Sequence, residues 1–162
     1  MPEPHRFPDP PAPPAVPFST PESGELVSDC IFCRIVAGTI PSIRICEDAH
    51  ALAFMDIRPI QPGHALVIPK QHVVNVIDME PADYDGVMRM AQRVGRAIGA
   101  EWRPPKVGMA VIGFDVAHAH VHVLPLLTMS DLTSARLLDG SLKAGAMDEL
   151  KRNGEQLRAR LA

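Results

Sequence analysis

His118-Ala119-His120-Val121-His122-Val123-Leu124-Pro125 alternates imidazole with apolar side chains until a proline closes the run. Extended backbone sends successive side chains to opposite faces, so the three imidazoles share one face while Ala119, Val121 and Val123 turn to the core. The pattern predicts a half-buried strand over residues 118–124 whose open face is a row of histidines. A single strand histidine is commonly a satisfied structural residue. Three aligned ones repel one another when protonated and lack hydrogen-bond partners when buried, so the row points to chemistry. Two kinds of chemistry use such a row: a metal centre, or acid/base and nucleophilic work on phosphate. Same-face neighbours lie roughly 6.5–7 Å apart and zinc–nitrogen bonds are about 2 Å, so one imidazole reaches an ion more readily than all three. Spacing leaves the two chemistries open.

Outward from the row, residues 107–112 read as another strand, joined to it by a Gly113-Phe114-Asp115 turn. Before that, Tyr84, Val87, Ala91, Val94 and Ile98 recur at three- and four-residue steps, predicting an amphipathic helix over 81–102. Its acidic residues come early and Arg89, Arg93 and Arg96 later, which suits the helix dipole. Residues 64–68 form an apolar strand ended by Pro69 and preceded by the proline- and glycine-rich loop IRPIQPGH. Strands at 43–46 and 51–56 flank the polar turn Glu47-Asp48-Ala49-His50 as a hairpin, with His50 a surface residue. Residues 28–38 fit a short helix capped by Ser28 or Asp29, with Ile31, Ile35 and Val36 at helical spacing before Gly38. Towards the C-terminus, 131–138 fit one or two helical turns and 146–161 an amphipathic helix interrupted by Gly154. The sum is an α+β domain: an antiparallel β-sheet with one long helix and short flanking helices.

Residues 1–24 carry nine of the seventeen prolines and no apolar periodicity, so they read as a disordered tail. The chain then divides into a domain at 25–127 and a C-terminal extension at 128–162. A net charge of −3 with 22% charged residues gives no basic field, which excludes nucleic-acid polymers as partners. No apolar run is long enough to span a membrane, and nothing at the N-terminus resembles a signal segment, so a cytoplasmic protein without membrane contact is expected. Three cysteines, Cys30, Cys33 and Cys46, argue against a disulfide framework and for reduced thiols or metal ligands.

The row resembles the His-x-His-x-His-x-x signature, x being hydrophobic, of the histidine triad family of nucleotide hydrolases and transferases. Three further segments match in order: CIFCRIVAGTIPS (30–42), LAFMDIRPIQPGH (52–64) and ALVIPKQH (65–72), so the resemblance runs from Cys30 to Leu126. It implies that His120 attacks the α-phosphorus of a purine nucleotide conjugate to form a nucleotidyl-histidine. His122 would donate to the phosphate oxygens and His64 would complete the relay. Asp56 would accept the ribose hydroxyls, Phe32, Ile35 and Ile57 would wall the purine, and Gly113 and Asp115 would lie along the phosphates. The resemblance also implies a structural zinc held by Cys30, Cys33, His72 and His118, and a homodimer formed through the 81–102 helix and a strand.

VGMAVIGFDVAHAH (107–120) departs from the family pattern, with Phe114 and Asp115 standing where glutamine and a hydroxyl residue are usual. A carboxylate there repels phosphate unless it points away or meets a cation; as a turn cap it has a structural use. The alternative to an enzyme is a nucleotide-binding, zinc-stabilised interaction protein with little catalysis. The extension after Thr128 has no tryptophan or evident phosphate ligand, so the leaving group stays unassigned.

Overall fold

The computed structural model describes residues 29–113, 115–133 and 143–162. Five strands, β1 (Arg44–Glu47), β2 (Ala51–Met55), β3 (Ala65–Pro69), β4 (Lys106–Ala110) and β5 (Val121–Leu126), form one antiparallel sheet in the order β1-β2-β3-β5-β4. The helices are α1 (Ile31–Val36), α2 (Pro81–Trp102), α3 (Ser130–Thr133) and α4 (Met147–Leu161). The α+β class is as the sequence implied.

Strands β2 and β3 are buried at every position because both faces of the sheet centre are covered. Ala51, Ala53, Met55, Ala65 and Val67 meet Val87, Met90, Ala91, Val94 and Ile98 of α2. On the opposite face Leu52, Phe54, Leu66 and Ile68 pack under Phe32 and Ile35 of α1. Leu66 pairs with His122 across β3 and β5, so the histidine row lies on the α1 face, while Val121 and Val123 join the α2 core. Phe32 of helix α1 meets the rings of His118 and His120 edge-on, and both histidines are buried there.

The long helix has the predicted bounds, but its apolar stripe excludes Tyr84, which is 44% exposed. Its last turn holds no basic residue; the three arginines sit mid-helix, and Arg103 closes the end in the left-handed region at φ 47°. Strand β4 stops at Ala110 and β5 starts only at Val121, because the Ala119 N–H bonds the Val73 carbonyl instead of a strand partner. Facing nevertheless alternates through the non-strand residues. The N-cap of helix α1 is Cys30, whose Sγ accepts the Cys33 N–H; of the two expected caps, Asp29 precedes it and Ser28 lies outside the described residues. Gly154 does not interrupt α4: the helix runs on through it, and a side chain there would collide with Ile43. His50 is tied to α2, donating from Nδ1 to Asp83 Oδ1 at 2.8 Å. The 1–24 tail, Phe114 and the 134–138 part of the expected third helix lie outside the described residues. Among the described residues no helix is long and apolar enough to cross a membrane.

Candidate functional site

Each imidazole near the cleft has one ring nitrogen fixed by a backbone group, and those groups determine the tautomers. A carbonyl oxygen only accepts, so the ring nitrogen facing it must carry the proton. His120 Nδ1–H donates to the His118 carbonyl at 2.7 Å, which leaves the lone pair on Nε2. His122 Nε2–H donates to the Ile112 carbonyl at 3.0 Å, so its Nδ1 accepts from His64 Nε2–H, also at 3.0 Å. His64 Nδ1 in turn accepts the Ile60 N–H at 3.2 Å. The chain Ile60, His64, His122, Ile112 is therefore satisfied with both rings neutral. Burial, and then the neighbouring His122, push the pKa of His64 down to about 3; burial, and then His120, push that of His122 to about 4.

The elements that hold these rings are tightly specified. His64 follows Gly63, whose φ of 93° favours glycine and whose missing side chain admits the Trp102 ring at the end of α2. Gly113 lies against the edge of the His120 ring, where any side chain would strike it. Phe32 of α1 meets His120 edge-on, with ring centroids 5.2 Å apart. Asp56, at the end of β2, accepts the Arg58 N–H at 2.8 Å, and burial raises its pKa. Its other oxygen lies 3.6 Å from His64 Nδ1, which already accepts from Ile60, so the two form no ion pair. A cavity of about 390 Å³ bounded by Val74–Ile77 and Val111–Gly113 opens beside His120.

The structure thus brings His64, His120, His122, Asp56, Phe32 and Gly113 together. Ile35 is buried in the α1–sheet cluster as a core residue, and Ile57 is 61% exposed on the loop after β2. Asp115 faces Arg58, its Oδ2 3.8 Å from the guanidinium. Sequence reasoning passed over Arg58, although it is the one cation in the loop IRPIQPGH. It could not find the carbonyls of Ile112 and His118, because backbone partners leave no mark on residue identity.

Behind His118 lies a second cluster. The ligand atoms of Cys30, Cys33, His72 and His118 are all within 4.8 Å of one another. Cys30 Sγ and Cys33 Sγ stand 3.4 and 3.5 Å from His118 Nδ1, and Cys33 Sγ stands 3.3 Å from His72 Nδ1. A tetrahedron with zinc–sulfur bonds of about 2.3 Å and zinc–nitrogen bonds of about 2.0 Å has sulfur–nitrogen edges of roughly 3.5 Å. The donor set fits zinc. His118 Nε2–H donates to the Pro69 carbonyl at 3.1 Å, which keeps Nδ1 free as a ligand. A third grouping, Asp56, His64 and His122, has comparable spacing, but its imidazole nitrogens are engaged with one another and with backbone.

The family model of the HIT domain matches residues 37–129, more than half of the chain. The chain belongs to the HIT family. Among HIT relatives, "Protein hit" of Bacillus subtilis is 38% identical over 104 residues, covering 60% of this chain and 70% of its own. The adenosine 5'-monophosphoramidase of Schizosaccharomyces pombe is 37% identical over 97 residues, covering 59% of this chain and 73% of its own. A zinc-bound histidine triad family protein from Mycobacterium smegmatis superposes with a TM-score of 0.66 at 34% identity, covering 82% of this chain and 93% of its own.

Proposed function

We propose that this HIT protein is a nucleotide hydrolase or nucleotidyl transferase that cleaves at the α-phosphate of a purine nucleotide conjugate, a nucleoside phosphoramidate or a dinucleoside polyphosphate. The observation that carries the reading is the His120 ring: Nδ1–H is held on the His118 carbonyl, and Nε2 keeps its lone pair at the cleft. A neutral imidazole oriented in this way is a prepared nucleophile. Nε2 attacks phosphorus as the bond to the leaving group breaks, and the departing group takes the electron pair and, where it is an amine, a proton from solvent. The positive charge that appears on the ring strengthens the bond to the His118 carbonyl. Water then attacks the nucleotidyl-His120, releases the nucleoside monophosphate and restores the ring. His122 exchanges the Ile112 carbonyl for a phosphate oxygen, and His64 holds the opposite nitrogen of His122 throughout. Asp56 takes the ribose hydroxyls, with Phe32 and Ile57 against the base and Gly113 allowing close approach to the phosphate. The activity named for the S. pombe relative agrees with this class of reaction.

Zinc held by Cys30, Cys33, His72 and His118 would crosslink α1 to the loops around the sheet. His118 then serves twice: its ring faces the cluster and its carbonyl orients His120. The protein acts as a homodimer in the cytoplasm, joined through α2 and β4. Replacement of His120 by Ala tests the reading. We expect loss of turnover by roughly 10⁴-fold or more on a panel of phosphoramidates and dinucleoside polyphosphates, and full turnover in that variant would end it. A nucleotide-binding role without catalysis has its support in Asp115, a carboxylate where a hydroxyl residue is usual in the family; tight nucleotide binding with no turnover by the native protein would favour it.

A further inference from the structure

We infer that Arg58 is the phosphate-binding cation of this site, and that Asp115 faces its guanidinium as a stand-in for the phosphate. The inference deepens the nucleotide-hydrolase reading above and rests on it. Arg58 donates its N–H to Asp56, whose other oxygen lies 3.6 Å from His64 Nδ1, and Asp115 comes shortly after Ile112 and Gly113, which touch His122 and His120. The Arg58 guanidinium and Asp115 Oδ2 stand 3.8 Å apart, with side chains 55% and 84% exposed. At that distance and exposure the contact is weak and readily exchanged for another anion.

The chemistry requires such an exchange. A phosphate brings negative charge into a site whose His64 and His122 rings are neutral at physiological pH, and which holds, among the described residues, the carboxylates of Asp56 and Asp115. Neutral donors alone leave that charge poorly matched, whereas a guanidinium binds phosphate oxygens through two parallel hydrogen bonds. Residues 56–64 contain one cationic side chain, Arg58, and residues 111–117 contain none. The same geometry gives Asp115 a use. It sets one carboxylate oxygen 3.8 Å from the guanidinium in place of phosphate, and it must be displaced when nucleotide enters.

Calorimetric titration of the full chain with AMP and, separately, with adenosine tests this, because adenosine carries no phosphate and reports the integrity of the base and ribose sites. Arg58→Gln should weaken AMP by about tenfold or more and leave adenosine unchanged, with Arg58→Lys recovering part of the loss. Asp115→Asn should tighten AMP several-fold, and added salt should erode the difference between the two ligands in the native chain. An AMP-to-adenosine affinity ratio unchanged by Arg58→Gln, while turnover still requires His120, would overturn the Arg58 assignment alone. Unchanged or weakened AMP binding in Asp115→Asn would overturn the stand-in role. Failure of the native chain to bind either ligand would overturn the nucleotide reading and this inference together.

Discussion

At the scale of single residues, the row His118, His120 and His122 was legible from alternation alone, while the division of labour within it came only from the family resemblance. Three identical side chains acquire different roles from backbone carbonyls: that of Pro69 for His118, that of His118 for His120 and that of Ile112 for His122. Arg58 was invisible for a related reason. An arginine in a loop is ordinarily a solvated charge, and only folding sets it opposite Asp115. The neutral rings of His64 and His122 also fix a pH dependence. Their folded pKa values, about 3 and about 4, lie below the 6.5 of a free imidazole. As pH falls through about 6.5 the unfolded chain binds protons that the folded chain refuses, so stability declines, by up to about 1.4 kcal/mol per pH unit for each ring; above that range they contribute no slope. Urea midpoints measured at pH 7.5, 6 and 5 should fall along this series, and His64→Gln should make the fall shallower. A His64→Gln profile as steep as the native one would contradict the assignment.

At the scale of elements, periodicity succeeded where one burial pattern ran the length of a segment, as in α2. It failed where tertiary contacts interrupted the ladder. β5 begins three residues after the first histidine of the row because Ala119 is bonded to Val73. Gly154 looked like a helix breaker and instead provides the close approach of α4 to Ile43. Helix α1 has six residues, too few to sustain a helix in isolation, and carries Cys33 of the Cys30, Cys33, His72 and His118 cluster, with Cys30 as its cap. Cys33→Ser should therefore abolish stoichiometric zinc, lower the melting temperature and reduce turnover together, and a chelator should do the same to the native protein. Elemental analysis finding no zinc in native protein with full activity would remove the cluster from the account.

For the whole molecule, fold class followed from the sequence because strand and helix periods were separated cleanly along the chain. Assembly did not, since an edge strand and a solvated strand look alike in sequence. β4 is the terminal strand of the sheet, and Met109, Val111 and Ile112 on and just beyond it are 41%, 56% and 41% exposed. Apolar side chains on an unpaired edge need cover, which is the physical support for pairing through β4 and α2. Sedimentation should find a dimer, and Met109→Lys should shift it towards monomer; a native monomer at micromolar concentration would exclude that arrangement.

The most direct test of the central claim is the intact mass of the enzyme quenched within seconds of mixing with an adenosine phosphoramidate. The account predicts a mass increase of one adenylyl group that maps to the peptide containing His120 and is absent from His120→Ala. An adduct mapped to another residue, or active protein that never carries one, would contradict it.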